Sequence, residues 1–329
     1  MFESTYIIAE IGINHEGSFA RCKEMFECAK DAGADAVKLQ IIDAEKCYAR
    51  ESESFELFKG ASLNKVEIAD LFDIAKAINL DIFATAADLE TIAWVDRLNP
   101  SAWKISSGLL THHEVIKYIV SLERKIFVST GMASGDDIDS AMKILARAPK
   151  DEVILMHCVS LYPTPISSAN LKTIEWLKEQ YGVTVGYSDH SVDYSTCPIA
   201  VALGAQAIEK HFTFDMSRQG YDHHVSITPA MFREMVSQIR EVETMLGYAG
   251  KIENSQIQEV KRQMSRWVVA VRSLKAGHRL TNDDIEIKRP SKFNKHQIAP
   301  SDGNKTIGCI LQRDYLKGEA ISYSEVADQ

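Results

Sequence analysis

The chain has 329 residues, of which 45% are hydrophobic and 25% are charged, and its formal net charge is -9. The length corresponds to about two domains, and the composition is ordinary for a globular protein. The acidic balance and the lack of a Lys/Arg run argue against a nucleic-acid partner, and no apolar run is long enough to span a membrane.

The six cysteines are scattered without a Cys-x-x-Cys pair, a usage that predicts reduced thiols and a cytoplasmic location. Residues 1–5 lead directly into the first apolar segment, so we expect no secretory signal. Cys158 ends a strand-like segment and is the candidate for a catalytic thiol, although free cysteine is more commonly a small buried hydrophobe.

Eight short apolar segments, each long enough for one buried strand, alternate with stretches of helical periodicity up to about Gly247. The segments begin at Tyr6, Ala36, Asp81, Ser101, Lys125, Val153, Val183 and Ala207. Such alternation requires parallel strands with helices packed outside them. A doubly wound sheet and a closed barrel both satisfy it, and eight repeats favour a (β/α)8 TIM barrel.

Each apolar segment ends in polar residues that burial in a strand does not explain. A parallel barrel collects the carboxyl ends of its strands on one face, where active sites lie, so we expect these side chains to be neighbours. They are Glu10, Lys38, Gln40, Thr85, Lys104, Ser107, Ser129, Thr130, His157, Ser188, Asp189, His190, Lys210 and His211.

The pattern changes after the barrel, which we assign to residues 1–249. Residues 250–267 are polar and charged and are predicted to form a linker. The remaining module, residues 268–329, contains a repeat in which a Lys-Gly turn precedes a Thr/Ser-x-x-Asp/Glu capping box, first at Gly277 and again at Gly318. The module has few hydrophobes, so we expect it to rest on a partner surface or another subunit.

His190 and His211 follow the cores of the seventh and eighth strands, which places two imidazoles on adjacent strand ends. Neutral imidazoles there can bind one divalent metal and leave positions open for substrate or water. The alternative is a pair of hydrogen-bonded histidines at the barrel rim. Asp222 and His223, in the loop GYDHH, lie just beyond the eighth strand and are candidates to complete a metal site.

Lys38 and Lys104 stand in otherwise apolar strands, where a lysine is costly unless it is paired. They can form buried ion pairs with Glu10 or Glu209, or they can form an anion site for phosphate and carboxylate groups. One lysine would also suit a Schiff base. The hydroxyls that would complete an anion site belong to Thr85, Ser107, Ser129 and Ser188.

Glu10 ends the first strand, in AEIGINHEG, and is a candidate general acid or base or a residue that orients water. Glu16 is the competing carboxylate, but it lies further into the loop. Asn14 and His15 would be loop residues that support Glu10.

The chain resembles the sialic acid synthase family, the phosphoenolpyruvate-dependent nonulosonate synthases, over nearly its whole length. The matching motifs are EIGINHEG, GADAVKLQ, WKISSG, STGM, HCVSLYPTP, GYSDHS, GAQAIEKHF and GYDHHVSITP. The C-terminal module resembles the antifreeze-like (SAF, β-clip) domain of that family, with IKRP, IAP, IG and LKGEAI.

The resemblance implies that phosphoenolpyruvate condenses with an open-chain N-acylated hexosamine, and that phosphate is released by C–O cleavage. It implies that His190 and His211 bind manganese or magnesium, which polarises the sugar aldehyde, and that Glu10 and Asp222 position water and handle protons. The implied phosphoenolpyruvate-binding residues are Lys38, Thr85, Lys104, Ser107, Ser129, Ser160, Tyr162 and Ser188.

For the sugar, the resemblance implies contacts from Gln40 and Arg289. The Arg289 side chain would reach the N-acyl group across a domain-swapped homodimer. Leu109 stands where sialic acid synthases carry a sugar-contacting glutamate, and leucine accepts no hydrogen bond. We hypothesise that the sugar lacks a hydroxyl there or is diacylated, as a deoxy diacetamido analogue of N-acetylmannosamine is. The segment between Lys38 and Thr85 looks shorter than in the sialic acid enzymes, so the pocket's lip is expected to differ.

Three other functions are weighed against this one. A synthase that condenses phosphoenolpyruvate with a phosphorylated aldose is disfavoured by the SAF module and the paired histidines. A Schiff-base aldolase would use Lys104 or Lys38. A glycan-binding scaffold on a barrel without activity would have no need of Glu10, the two lysines, the two histidines and Asp222 together.

Overall fold

The computed structural model describes residues 2–292 and 296–327. Its chain divides into two compact units, Met1–Gly247 and Tyr248–Gln329. In the first unit, eight parallel strands close into a barrel in chain order, which confirms the predicted TIM barrel. The strands are β1 Tyr6–Gly12, β2 Ala36–Gln40, β3 Asp81–Thr85, β4 Ala102–Ile105, β5 Lys125–Ser129, β6 Val153–Cys158, β7 Thr184–Asp189 and β8 Ala207–His211.

Helices follow the strands, and most of them pack on the outer face of the barrel. They are α1 Phe19–Asp31, α2 Ala44–Cys47, α3 Glu53–Gly60, α4 Lys65–Ala77, α5 Leu89–Asp96, α6 His113–Ser121, α7 Gly135–Leu145, α8 Thr173–Tyr181, α9 Thr196–Ala202 and α10 Pro229–Leu246. Side chains at the N-caps fix where several of them begin, because each accepts a hydrogen bond from a first-turn amide. Asn64 with Glu67, and Ser134 with Asp137, form capping boxes at α4 and α7.

Two hydrophobic clusters hold the barrel. A large outer cluster lies between strands and helices, and a small inner cluster fills the barrel around Phe83, Phe127 and Met156. Successive residues of a strand point to opposite faces, and every strand except β7 contributes residues to both clusters. The inner cluster closes the barrel below the polar residues at the strand ends. Among the described residues, no helix is long and apolar enough to cross a membrane.

The second unit pairs β9 Trp267–Ala270 with β10 Ile285–Lys288, and β11 Ile310–Leu311 with β12 Val326–Ala327, both antiparallel. It has its own small hydrophobic cluster, which includes Val268, Leu280 and Tyr315. The segment predicted as a linker contains a helix, α11 Ser255–Met264, that buries none of its residues.

The predicted repeat in the second unit is present in both of its turns. Gly277 and Gly318 have positive φ angles of 82° and 76°, which glycine adopts without steric cost. The first copy has its capping box, formed by Thr281 and Asp284. In the second copy the Glu325 carboxylate instead contacts Arg313 and accepts a hydrogen bond from the Tyr315 hydroxyl. The corresponding carboxylates of the two copies therefore have different partners.

Candidate active site

A cavity of about 310 Å³ lies at the carboxyl ends of the barrel strands. Most of the residues that the sequence analysis assigned to a site line it. They are Glu10, Lys38, Gln40, Thr85, Lys104, Ser107, Ser129, Ser160, Tyr162, Ser188, His190 and His211. The barrel therefore brings together side chains that are widely separated in the sequence.

Other polar residues at the strand ends face away from the cavity, so the expectation that all of them are neighbours is wrong. Lys210 and Asp189 form a fully buried ion pair with 2.7 Å between Nζ and Oδ2. His157 contacts the Ala169 carbonyl oxygen through Nε2 and stacks on Tyr187. These residues alternate with cavity-lining neighbours along β6, β7 and β8, and alternation along a strand sends them to the outer face.

Lys38 and Lys104 meet at the carboxylate of Glu209, at the base of the cavity. Lys104 Nζ lies 2.8 Å and 3.0 Å from the two Glu209 oxygens, and Lys38 Nζ lies 3.1 Å from Oε1. The Ser188 hydroxyl donates to the same Oε1 at 2.9 Å. Burial alone would raise the pKa of Glu209, but the two lysines outweigh it and hold that pKa far below its usual range. The sequence left open whether the two lysines form buried ion pairs or line a site. In the structure they form buried ion pairs and also line the cavity.

Glu10 lies beside this cluster and is fully buried. Its Oε1 accepts a hydrogen bond from Gln40 Nε2 at 2.7 Å, while its Oε2 has no hydrogen-bond partner in the described part of the chain and lies 3.4 Å from Lys38 Nζ. Burial raises the pKa of Glu10 to about 7, against the lowering influence of Lys38. A carboxyl group that titrates near neutral pH is suited to accept and return a proton.

His190 and His211 lie next to each other on the cavity wall, with 5.5 Å between their ring centroids. His190 Nδ1 lies 3.0 Å from the Val159 carbonyl oxygen, and His211 Nδ1 lies 3.6 Å from Asp222 Oδ2. The Tyr162 hydroxyl lies 2.9 Å from His190 Nε2. Burial lowers the pKa of His190 to about 4 and that of His211 well below its usual value, so both imidazoles are neutral.

A neutral imidazole whose Nδ1 atom contacts an oxygen acceptor, as that of His190 does, is the form that ligates a metal through Nε2. His211 Nδ1 is buried without a hydrogen-bond partner among the described residues, and the two neutral rings together fit a divalent ion. Within residues 2–292 and 296–327, no three His, Cys, Asp or Glu side chains are grouped as a complete metal site. An ion held here would take its other ligands from substrate or water, as catalytic metals do.

Asp222 does not line the cavity but is fastened next to it by Asn14. The Asp222 amide donates to Asn14 Oδ1 at 3.1 Å, and Asn14 Nδ2 donates at 2.9 Å to the Ser226 hydroxyl, which donates to the Asp222 carbonyl oxygen at 2.6 Å. Glu16, the competing carboxylate, forms ion pairs with Arg218 and Arg21. The pair with Arg218 links the loop after β8 to the loop after β1.

Several hydroxyls line the cavity wall. Thr85 Oγ1 and Ser129 Oγ are buried and have no hydrogen-bond partner among the described residues. The Gly131 amide donates to Ser107 Oγ at 3.0 Å. A Cβ at Gly131 would lie 2.6 Å from Ser160 Oγ and 2.5 Å from Cys158 Sγ, so the glycine keeps a cradle open. Cys158 also lines this wall, and its Sγ lies 3.2 Å from Ser107 Oγ.

One residue of the predicted sugar site, Leu109, is not part of the cavity lining. Leu109 is half-buried and packs against the outer hydrophobic cluster. Arg289 belongs to the second unit, where its guanidinium is 3.3 Å from the Met264 carbonyl oxygen. The sequence analysis did not identify the cavity's apolar lining. It consists of Ile42, Tyr48, Phe58 and Met132.

The fold and the site define a TIM-barrel enzyme with a charged cavity at its strand ends. A model of the NeuB family matches residues 25–251, and a model of the SAF domain matches residues 265–327. The chain therefore belongs to the NeuB family and carries a SAF domain.

Three similar proteins illustrate the relationship. The N,N'-diacetyllegionaminic acid synthase of Campylobacter jejuni is 32% identical, covering 97% of this chain and 99% of that protein. A pseudaminic acid synthase of Campylobacter jejuni is 31% identical, covering 98% and 97%. The crystal structure of a sialic acid synthetase from Leptospira borgpetersenii, in complex with citrate, is 32% identical with a TM-score of 0.74, covering 78% of this chain and 90% of that one.

Proposed function

We propose that the protein condenses phosphoenolpyruvate with an open-chain N-acylated hexosamine to form a nonulosonic acid, with release of phosphate by C–O cleavage. One observation carries the proposal: a single cavity joins a lysine and hydroxyl cluster to a pair of neutral imidazoles. Relatives named for diacetyllegionaminic and pseudaminic acid synthesis support a sugar with two acylamino groups.

Lys38 and Lys104 are proposed to bind the phosphate and carboxylate of phosphoenolpyruvate, because ammonium groups form strong charge-assisted hydrogen bonds to such oxygens. The unpartnered hydroxyls of Thr85 and Ser129 are free to donate to the same anion. The remaining proposed contacts are Ser107, Ser160, Tyr162 and Ser188.

His190 and His211 are proposed to hold manganese or magnesium, which when bound polarises the sugar aldehyde for attack by the enol carbon. Gln40 is proposed to orient the sugar, since its amide already reaches Glu10. Asp222 is proposed to orient His211, since its Oδ2 lies 3.6 Å from His211 Nδ1.

Glu10 is proposed to accept a proton from the water that adds to the reacting carbon, with Asp222 helping to position that water.

Since the pKa of Glu10 is raised to about 7, the carboxylate needed for this role accumulates only as the pH rises through that value. We therefore expect kcat/KM to increase with pH through about 7, and Glu10→Gln to lose about 100-fold or more together with this limb. A pH–rate profile measured on both proteins checks it. A limb that persisted in Glu10→Gln would assign the titration to another group.

The hydroxyl cradle supplies a second prediction. In Gly131→Ala the new methyl group would displace the side chains of Cys158, Ser160 and Ser107 without removing any of them. We expect the KM for phosphoenolpyruvate to rise about 10-fold or more, because misplaced donors leave anion oxygens unpaired. Steady-state kinetics measure this change. Gly135→Ala is the matched control, since a Cβ there meets open space, and an equal rise in that variant would refute the cradle.

The direct test is phosphate release from phosphoenolpyruvate with a panel of N-acyl hexosamines, with mass spectrometry of the product. The panel includes N-acetylmannosamine and a 6-deoxy diacetamido hexose. A product mass equal to sugar plus pyruvate supports the proposal. Absence of phosphate release with every sugar, in the presence of manganese or magnesium, would contradict it.

One observation favours a second candidate, a Schiff-base aldolase. Burial lowers the pKa of Lys104 against the influence of Glu209, and a lysine with a lowered pKa is a better nucleophile. Borohydride reduction in the presence of substrate separates the two functions, because only the aldolase forms a covalent adduct at a lysine.

Three further proposals rest on family membership. Arg289 is proposed to contact the sugar's N-acyl group, the protein is proposed to act as a domain-swapped homodimer, and the cytoplasm is proposed as its location. Leu109 is proposed to influence the choice of sugar from behind the cavity wall, because it directly follows Ser107 and Gly108, which line the cavity.

A further inference from the structure

A small second cavity of about 40 Å³ borders the active-site cavity. The two share Gln40, Ile42 and Phe58 in their linings. We call this second cavity the annex. Its other walls are mainly apolar and include Ala61, Leu63 and Ile68, with His15 and Ser62 as the polar members. Its volume exceeds the 10–15 Å³ or so that one water needs, and it is small enough to suit a substituent of one or two carbons.

The annex adjoins the part of the main cavity that the anion does not need. The lysines and hydroxyls form the polar side, whereas Ile42, Tyr48 and Phe58 form an apolar side on the connection between β2 and α4. Tyr48 and Phe58 stack on one another, with 5.2 Å between ring centroids, and so hold a fixed surface. A sugar hydroxyl placed there would lose hydrogen bonds to water, whereas a methyl group would gain from burial.

We propose that the annex is a binding subsite for a methyl-bearing substituent of the second substrate. Two groups share this chemistry, the methyl of an acylamino group and the C6 methyl of a 6-deoxy sugar. The inference rests on the proposed function, since it assumes that phosphoenolpyruvate occupies the polar side. It assigns sugar selection to side chains of the β2–α4 connection in addition to Leu109.

Two variants change the size of the annex in opposite directions. Leu63→Ala enlarges it, and Ala61→Val fills it. Leu98→Ala is the matched control, because Leu98 is a half-buried leucine that packs on the same outer cluster as Leu63 but does not line either cavity. Each variant is assayed by phosphate release with two substrate pairs, N-acetyl against N-propanoyl sugars and 6-deoxy against 6-hydroxy sugars.

We expect Leu63→Ala to shift kcat/KM towards the larger member of one pair by about 10-fold, and Ala61→Val to shift it the opposite way, because one methylene in an apolar pocket has about this effect. A shift in the acyl pair identifies the acyl methyl, and a shift in the C6 pair identifies the C6 methyl. The KM for phosphoenolpyruvate should stay unchanged in all three variants.

Selectivities that match the wild type in both annex variants, or that change equally in Leu98→Ala, would overturn the subsite while leaving the synthase reaction intact. Wild-type protein that releases no phosphate with any sugar would instead overturn the proposed function. The two failures are therefore separate results.

Discussion

Replacement of either His190 or His211 by alanine is expected to reduce phosphate release by about 1000-fold, because a bound metal supplies several kcal/mol of stabilisation to the transition state. Burial lowers the pKa of each imidazole and keeps it neutral, so each variant removes one of the two proposed protein ligands for that ion. A chelator should produce the same loss in the wild type, and added manganese or magnesium should reverse it. Calorimetric titration with the metal alone should find binding in the wild type and at least a large weakening in both variants.

His157→Gln is the control for this prediction. His157 is a buried strand-end histidine like the other two, but its ring faces the Ala169 carbonyl and Tyr187 rather than the cavity. It should retain turnover and metal binding. Full turnover in chelated protein would refute the metal mechanism, and an equal loss in His157→Gln would mean that the histidines act through stability alone.

Most of the barrel could be predicted from the sequence because its signal is local. Each strand is a short apolar run, and the closure of eight parallel strands places their carboxyl ends on one face whatever the loops do. Lys38, Lys104, His190 and His211 therefore emerged as neighbours without any knowledge of their contacts. Glu10 also emerged by position, although its raised pKa depends on burial that only the folded barrel provides.

The errors arose where a residue's direction or a loop's path decides the outcome. Lys210 follows Glu209 and precedes His211, yet it faces outward, because strand parity and not polarity determines which side a residue occupies. Tyr48 directly follows α2 and Phe58 lies on α3, two short helices between β2 and α4 that carry no strand-end signal. Their place in the cavity depends on how that connection folds back.

The α11 helix shows a third limit. The segment that contains it is mostly polar, but Ile257, Val260 and Met264 stand at i, i+3 and i+7 and form a short apolar stripe that the linker prediction overlooked. Leu109 could be recognised as a departure from the family pattern, but its half-buried packing on the outer cluster could not be read from the letters around it.

Glu209→Gln is expected to destabilise the protein by about 3 kcal/mol, because removing one partner of a buried ionic cluster leaves the other charges uncompensated. In this barrel the uncompensated charges would be the ammonium groups of Lys38 and Lys104, both of which contact Glu209. Denaturant unfolding at neutral pH measures the loss. Asp189→Asn is the matched variant, since it breaks the Lys210 ion pair, which is equally buried but faces away from the cavity.

The two variants should respond differently to inorganic phosphate, which separates an anion site from a purely structural ion cluster. In Glu209→Gln the two lysines stay on the cavity wall, so phosphate can replace the missing carboxylate and should restore about 2.7 kcal/mol at a concentration 100-fold above its Kd. Asp189→Asn offers phosphate no access to Lys210, which is fully buried, so phosphate should stabilise this variant only as much as it stabilises the wild type. A larger stabilisation of Glu209→Gln than of Asp189→Asn would assign the lysines to anion binding. Equal indifference of both variants to phosphate would mean that Lys38 and Lys104 only balance Glu209, and the proposed phosphoenolpyruvate contacts would lose their two strongest members.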